Sequence, residues 1–247
     1  MVIEMKEVLM IHGGRRKKNT YALLMQVKTI LEAANVHVRF VSLHDYVIGD
    51  CIGCEECMTG GTCGEHDDIA GLLGEMKRTD GIILSSPVYL RQVSGRMKSF
   101  IDRTCCWFHC PPLANKPILA VSTTMGSGLQ DTLDYLESVA EQWGAMQAGS
   151  IGRNIRNMDQ PVETSEVAYF LELLQNPESY KPTLKNLINF QVQKALALHV
   201  LTQDKPYWEQ RNWTEEDYYQ EARISPVKRF IAKRIGRSIQ NGMSEQG

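Results

Sequence analysis

The chain has 247 residues, of which 43% are hydrophobic and 23% are charged, and its formal net charge is −2 at pH 7. This composition is typical of a soluble globular protein and gives no sign of a nucleic-acid partner. The N-terminal segment carries acidic side chains where a secretory signal would be apolar, and no run reaches the ~18 apolar residues of a membrane span. We expect a cytoplasmic protein.

The first elements in chain order are a strand, a glycine loop and a helix. An apolar run over 8–12 ends at Gly13, and apolar residues recur at helical spacing over 20–34. The loop between them, GGRRKKNT, joins glycines and four cations to a helix N-terminus, which offers N–H donors and a favourable dipole to a phosphate. From the loop alone, a solvated basic turn capped by Asn19 or Thr20 fits equally well.

A cysteine-rich loop follows the second predicted strand, which covers 36–43. Four of the seven cysteines lie in residues 51–63, with the sequence CIGCEECMTGGTC, and disulfides are rare in a reducing compartment. Thiolates at this spacing, on a loop that folds back through Gly60 and Gly61, fit a [4Fe–4S] cluster. Zinc and a metal-free thiol loop are the alternatives. The predicted metal ligands are Cys51, Cys54, Cys57 and Cys63.

The middle of the chain continues the alternation of helices and strands. We predict helices over 69–76 and 93–108 and a strand over 81–85, and we interpret the acids of 65–68 as a helix cap rather than as partners of a metal-binding His66. Cys105, Cys106 and Cys110 fall at the end of the second of these helices. Apolar packing is their expected role.

Two more strands complete a doubly wound α/β sheet. Strands over 117–122 and 145–151 flank a helix over 129–143, which makes five predicted strands with crossover helices. In such a sheet the ligand lies beyond the carboxyl ends of the strands, so the loops after strands one, three and four should meet there. His12, at the end of strand one, is interpreted as a locally hydrogen-bonded histidine without a catalytic role.

The pattern changes after the sheet. We divide the chain into a domain over 1–152, with the cysteine loop 51–63, and a helical extension over 153–247. The last predicted helix, 226–239, sets Val227, Ile231, Ile235 and Ile239 on one face and cations on the other. Docking of this helix on the protein itself is favoured over contact with an anionic membrane surface.

Several of these motifs resemble those of a known family. Arg16, Lys17, Asn19 and Thr20, the Ser-Pro-Val-Tyr segment at 86–89 and the glycine-containing loop at 123–128 make residues 1–150 similar to the flavodoxin-like NAD(P)H-dependent FMN reductases. The cysteine spacing is similar to that of their iron-sulfur flavoprotein branch. Gly14 and Arg15 stand where this family usually has Ser-Pro. The resemblance implies a parallel sheet in the order 2-1-3-4-5.

The resemblance also implies the cofactors and their sites. FMN would be the reactive group, with no catalytic side chain, a [4Fe–4S] cluster would relay electrons, and NAD(P)H or ferredoxin would donate them. Residues 95–104 resemble a helix that forms subunit contacts in this family, which implies a homodimer or homotetramer. The implied FMN-binding residues are Gly14, Arg16, Lys17, Asn19, Thr20, Ser86, Pro87, Val88, Tyr89, Thr123, Thr124, Gly126, Ser127 and Gly128.

The expected function is therefore that of an FMN-dependent oxidoreductase, an electron-transfer iron-sulfur flavoprotein. Two alternatives stay open. One is a cluster-free NAD(P)H-dependent reductase of FMN, quinones or azo compounds, which keeps the fold and lacks the cluster. The other is a non-enzymatic flavodoxin-like carrier or a redox sensor.

Overall fold

A single five-stranded parallel sheet forms the centre of the molecule. The structure, a computed structural model, describes residues 5–60, 63–64, 66–219 and 222–244. The strands lie in the order β2-β1-β3-β4-β5, which confirms the predicted doubly wound sheet. They are β1 (Lys6–His12), β2 (Val36–Ser42), β3 (Gly81–Pro87), β4 (Pro117–Thr123) and β5 (Met146–Arg153).

The helices cover both faces of this sheet and continue into the C-terminal extension. They are α1 (Asn19–Ala33), α2 (Glu56–Gly60), α3 (Ile69–Arg78), α4 (Gly95–Asp102), α5 (Leu129–Gln142), α6 (Thr164–Gln175), α7 (Leu184–His199), α8 (Lys205–Gln210) and α9 (Pro226–Ser244). None of the helices in the described part of the chain combines the length and the apolar content that a bilayer crossing requires.

The strands form because their side chains are buried on alternating faces. Met10 and Leu119 belong to a core cluster that also holds residues of α1, α6 and α7, whereas Leu9 and Leu84 belong to a second cluster with α3, α4 and α5. Near-continuous apolar runs are what a sheet covered on both faces requires. The extension therefore shares one of the two cores of the sheet.

Helix α4 is shorter than the predicted helix over 93–108. It starts after Ser94, whose side chain accepts a hydrogen bond from the Met97 amide, and it ends at Asp102. Thr104 then turns its hydroxyl back to the Ile101 carbonyl at 2.7 Å and accepts a 2.9 Å hydrogen bond from Trp143 Nε1. A threonine bonded in this way competes with the helical backbone. Residues 105–107 consequently form a separate 3₁₀ turn.

The last helix, α9, packs through a face different from the predicted one. Val227 is 67% exposed, whereas Ala232 and Gly236 are buried. A Cβ atom on Gly236 would lie 2.7 Å from Gln191 Oε1 of α7, so the two helices approach at small residues. Ile231, Ile235 and Ile239 flank this contact and are half-buried.

Candidate FMN and cysteine sites

A cleft of about 500 Å³ lies at the carboxyl ends of β1, β3 and β4. This is the edge at which a doubly wound sheet binds its ligand, because the strand order reverses there. The predicted loops do meet at this edge. The residues that line the cleft are His12, Gly14, Arg16, Lys18, Asn19, Thr20, Pro87, Val88, Tyr89, Thr123, Thr124 and Met125.

The N-terminus of α1 opens into this cleft. Lys18 precedes the helix and makes no side-chain capping hydrogen bond, and the first turn contains no acidic residue. Residues 15–19 are exposed, and four of them are cations. Free N–H groups, the helix dipole and these cations together favour an anion such as a phosphate. Lys17 leans away from the cleft, with Nζ 5.7 Å from the centre of the Tyr21 ring.

His12 forms part of the floor of the cleft, although no role in binding was predicted for it. The residue is 2% exposed, and its Nδ1 lies 2.8 Å from Ser85 Oγ. Burial, followed by the nearby His44, lowers the pKa of His12 to about 4, so the ring is neutral at pH 7. Its other nitrogen, Nε2, is buried and has no hydrogen-bond partner within the described part of the chain. A ligand oxygen in the cleft would satisfy this nitrogen.

The His12 ring also explains the glycine beside it. A Cβ atom on Gly14 would lie 2.6 Å from His12 Nε2 and 3.2 Å from Pro87 Cδ. Such a contact is closer than packed atoms tolerate, so a serine at this position would displace the ring. The family that this chain resembles usually has serine where this chain has Gly14. The glycine leaves room for the His12 ring.

The loop after β3 supplies one wall of the cleft. Tyr89 is 52% exposed and pairs with Gln92 across a tight turn, in which Leu90 has φ 46° and Arg91 has φ 66°. Left-handed backbone at two successive non-glycine residues is uncommon and is often found at functional sites. Ser86 does not face the cleft, because its hydroxyl donates to the Pro87 carbonyl and accepts from the Ser94 amide.

The loop after β4 supplies the opposite wall. Thr123 Oγ1 lies 2.5 Å from Thr20 Oγ1, which joins this loop to the first turn of α1. Thr124 Oγ1 accepts a 3.1 Å hydrogen bond from the Gly126 amide. Gly128 has φ 87° at the start of α5, and a Cβ atom there would lie 2.4 Å from Arg91 Cα. The glycine at 128 is therefore required by packing between the two loops.

The structure brings most of the predicted FMN-binding residues to the cleft. Lys17 lies at an adjoining cavity beside Tyr21, and Ser86, Gly126, Ser127 and Gly128 do not line the cleft. His12, Lys18 and Met125 line it without having been predicted. The sequence did contain a signal for His12. The residue ends the apolar run of β1 and therefore lies at the carboxyl edge of the sheet, where the ligand is expected.

The cysteine loop lies on another part of the surface. Cys51 and Cys54 are exposed, and Cys57 and Cys63 are half-buried. Gly53 (φ 68°) and Glu55 (φ 62°) have left-handed backbone, which turns the chain between successive cysteines. Gly61 and Glu65, to which a fold-back and a cap were assigned, lie outside the described residues.

The four thiols of this loop lie near one another. Burial, and then the neighbouring Cys63, Cys51 and Cys54 thiols, raises the pKa of Cys57 above its ordinary value. Four thiols match the ligand type and number of a [4Fe–4S] cluster. Among the described residues, however, no group of three or more His, Cys, Asp or Glu side chains is placed to hold a metal ion.

The second cysteine segment corrects one expectation. Cys105 is exposed rather than packed in an apolar core, and its thiol contacts that of Cys51. Cys106 does pack at the edge of a core cluster, and both Cys106 and Cys110 line a second cleft together with Cys57. The 3₁₀ turn that replaces the end of the predicted helix places these thiols beside the loop.

Comparison with known proteins identifies the family. The family model described as NADPH-dependent FMN reductase matches residues 6–159, which is more than half of the chain. The chain belongs to the NADPH-dependent FMN reductase family. The match covers all five strands and both of the loops that flank the cleft.

The sequence relatives are iron-sulfur flavoproteins. One from Archaeoglobus fulgidus is 31% identical over 146 residues, covering 59% of this chain and 66% of that protein. One from Methanocaldococcus jannaschii is 37% identical over 99 residues, covering 40% of this chain and 51% of that protein. One from Clostridioides difficile is 26% identical, covering 74% of this chain and 85% of that protein. The chain thus spans between half and two thirds of the length of the first two relatives.

Solved structures show the same fold. An azoreductase from Bacillus anthracis has a TM-score of 0.51 at 16% identity, covering 69% of this chain and 98% of that chain. RosB with the bound intermediate 8-demethyl-8-formylriboflavin-5'-phosphate has a TM-score of 0.53 at 12% identity, covering 69% of this chain and 79% of that chain. At these identities the likeness extends to the fold alone.

Proposed function

We propose that this member of the NADPH-dependent FMN reductase family is an FMN-dependent oxidoreductase that binds FMN in the cleft of about 500 Å³. The observation that carries the proposal is the uncapped N-terminus of α1, which opens into the cleft among exposed cations. NAD(P)H is the proposed electron donor, with reduced ferredoxin as the alternative.

The phosphate of FMN would lie at the first turn of α1. Arg16 and Lys18 line the cleft there and would donate charge-assisted hydrogen bonds, which are the stronger kind. The Thr20 hydroxyl is paired with Thr123, so it would orient the loop as well as offer a donor. His12 Nε2 is the buried nitrogen that a ligand oxygen would satisfy.

The flavin ring would lie between the loops after β3 and β4. Tyr89 presents a half-exposed ring at this position, and Pro87 fixes the backbone that precedes it. Thr124 and Met125 line the other side. When bound, FMN supplies both two-electron and one-electron transfer. The side chains of the cleft would bind and orient the cofactor, and none of them is required to act as an acid or a base.

We further propose that Cys51, Cys54, Cys57 and Cys63 hold a [4Fe–4S] cluster. The support is the number and kind of donors, the two left-handed turns between them and the nearness of the thiols. The names of the sequence relatives point the same way. A cluster-free FMN reductase is the second candidate, because no metal-holding group is formed among the described side chains.

A homodimer or homotetramer is also proposed. Leu90 is 100% exposed and follows Tyr89, and Met125 is 60% exposed; Tyr89 and Met125 both line the cleft. Exposed apolar side chains grouped in this way are typical of interaction surfaces. Light scattering on Leu90→Asp should show a smaller assembly than the wild-type chain, and an unchanged mass would remove Leu90 from the contact.

The deciding experiment measures FMN, iron and acid-labile sulfide per chain after purification without oxygen. We expect one FMN with about four irons and four sulfides. Cys54→Ser should lose the iron and keep the FMN, whereas Cys110→Ser, outside the loop, should keep both. Steady-state oxidation of NAD(P)H would then separate a reductase from a non-enzymatic carrier.

Each result has a distinct meaning. Protein that contains FMN but no iron would support the cluster-free reductase and contradict the proposed cluster. Iron that persists in Cys54→Ser would remove that cysteine from the ligand set. Absence of FMN from wild-type protein, even after incubation with excess FMN, would contradict the proposed function as a whole.

A further inference from the structure

A second cleft, of about 540 Å³, lies between the two cysteine segments and the C-terminal helices. One wall contains Cys57 of α2, Lys77 of α3 and the segment 105–112. The other wall consists of residues 203–211, which lie beyond residues 6–159 that match the family model. This cleft therefore combines residues of the family match with residues of the C-terminal extension, and it shares no lining residue with the cleft that would hold FMN.

Hydrogen bonds fix the two walls against each other. Tyr207 Oη donates to the Pro111 carbonyl at 3.0 Å, and Trp208 Nε1 donates to the His109 carbonyl at 2.9 Å. Trp208 is fully buried in the core that joins α7 to this segment. The cleft is thus preformed, as binding sites for small molecules usually are.

Two cations face the cleft, each resting on an aromatic ring of its wall. Lys77 Nζ lies 5.5 Å from the Trp107 ring centre, and the guanidinium carbon of Arg211 lies 3.5 Å from the Tyr207 ring centre. Within the described residues, neither cation forms an ion pair with a carboxylate. Both are exposed, so both can donate to an incoming anion.

The remaining polar groups leave the cleft positively charged. Asp204 is the carboxylate of the lining, and it accepts a hydrogen bond from the Cys110 thiol. Burial, followed by Asp204, raises the pKa of Cys110 to about 12, so this thiol is neutral at pH 7. Among the described lining residues, two cations therefore face a single carboxylate.

We propose that this cleft binds a small planar anion of the aromatic carboxylate class. Arg211 offers its planar guanidinium, which stacks and donates in a fork that matches a carboxylate. Met58, Trp107 and Pro112 supply apolar surface for a ring. His109 Nδ1, in the same wall, is buried without a hydrogen-bond partner in the described part of the chain. The volume lies in the range of about 300–1,000 Å³ common to small-molecule sites.

Calorimetric titration with 1-naphthoate tests this site on the full chain. The titration is carried out in excess FMN, so that FMN fills the first cleft. If the protein does not bind FMN, the titration is carried out on flavin-free protein. We expect saturable binding with one naphthoate per chain. The neutral 1-naphthalenemethanol, which has the same rings without the charge, should bind at least about tenfold more weakly, since it forms no charge-assisted hydrogen bond with the two cations.

Variants locate the binding. Lys77→Gln and Arg211→Gln should each weaken naphthoate binding about tenfold, whereas Asp204→Asn should strengthen it because a repulsive charge is removed. Arg78→Gln, next to Lys77 on α3, and Lys205→Gln, on the helix α8 that precedes Arg211, are matched controls outside the lining, and they should bind like the wild type. Circular dichroism confirms that each variant is folded.

Three outcomes would overturn the proposal. The first is no saturable binding of naphthoate up to millimolar concentration. The second is equal affinity for naphthoate and the neutral alcohol. The third is an unchanged naphthoate affinity in both Lys77→Gln and Arg211→Gln.

Discussion

The guanidinium of Arg103 and the carboxylate of Asp67 form a buried ion pair that fastens both ends of the cysteine loop. Arg103 Nη1 lies 2.6 Å from Asp67 Oδ2, and the two side chains are 1% and 9% exposed. Before the loop, the Gly49 carbonyl accepts from Arg103 at 3.1 Å, and the Gly49 amide donates to Asp67 at 2.9 Å. At the other end, the Cys63 sulfur accepts a hydrogen bond from the Arg103 guanidinium. The pair thus sets the span across which the loop closes.

Asp67→Asn should strongly destabilise the protein. The substitution leaves the Arg103 charge buried without its counter-ion, which typically costs about 3–5 kcal/mol. Urea unfolding at pH 7 measures the loss. Asp102→Asn is the matched control, because Asp102 forms an exposed pair with Lys98 that is worth less than about 1 kcal/mol. Equal losses in the two variants would mean that the buried pair has no special weight.

The same pair makes stability depend on pH at the acid end. Burial raises the pKa of Asp67, but hydrogen bonds from Arg103, Gly49 and Ile69 outweigh burial, so the pKa lies below its ordinary value of 3.8. Its stabilisation is present above that value and is lost as pH falls through the lowered folded pKa. Asp67→Asn should therefore lack this acid-end decline, measured as the free energy of unfolding between pH 4 and pH 2.

The buried His12 should make stability fall between pH 6.5 and about 4. Because its folded pKa is about 4 and its ordinary value is 6.5, the unfolded chain binds a proton first as pH drops. The loss approaches about 3 kcal/mol when the whole interval is crossed. His12→Gln should flatten this part of the profile, whereas the exposed His37→Gln should leave it as in the wild type. Coincident profiles for all three proteins would show that His12 titrates normally.

Arg16→Gln should weaken binding of FMN and leave riboflavin unaffected. Arg16 lines the cleft beside the N-terminus of α1, whereas Lys17 lies over the Tyr21 ring. Loss of one charge-assisted contact to a phosphate corresponds to about a tenfold rise in Kd. Fluorescence titration with both flavins separates a phosphate contact from a ring contact. If Lys17→Gln raised the Kd for FMN more than Arg16→Gln did, Lys17 rather than Arg16 would be the residue that contacts the phosphate.

The sequence predicted the sheet and most helices because their signals are local. Strands β3 and β4 are apolar on both faces, and α1 and α5 have apolar residues at helical spacing. The bounds of these elements could therefore be predicted from short stretches of sequence. The edge of the sheet at which the loops meet followed from the topology of parallel sheets. The cysteine spacing likewise indicated the thiol loop, since its four residues lie within one short segment.

What could not be predicted depends on contacts between distant residues. The Arg103–Asp67 pair joins residues that are 36 positions apart. The end of α4 is determined by Trp143, which follows α5 and donates a hydrogen bond to Thr104. The packed face of α9 is determined by Gln191 of α7. The burial of His12, which sets its pKa, likewise depends on the surrounding tertiary structure. No local period carries this information.

Gly128→Ala should destabilise the protein, whereas Gly126→Ala should not. Gly128 has φ 87°, and an added Cβ would lie 2.4 Å from Arg91 Cα, a backbone atom that cannot rotate away. We expect a loss of about 2 kcal/mol or more from strain and overpacking. At Gly126 nothing lies within 4 Å of the added atom. Thermal unfolding of both variants measures the difference, and equal melting temperatures would contradict the close approach of the two loops.

Phe170→Ala should test whether the extension is part of the folding unit of the sheet. Phe170 of α6 is fully buried, and a Cβ atom on Gly81 of β3 would lie 3.1 Å from its Cζ. Removing a ring from such a core typically costs about 3–5 kcal/mol. Phe230 of α9 is 67% exposed, so Phe230→Ala should change stability by less than about 0.5 kcal/mol. In urea unfolding, Phe170→Ala should lower the midpoint of one cooperative transition that includes the sheet. The contrary result is a separate early transition while the transition of the sheet stays unshifted. That result would show that the residues after β5 unfold as an independent unit.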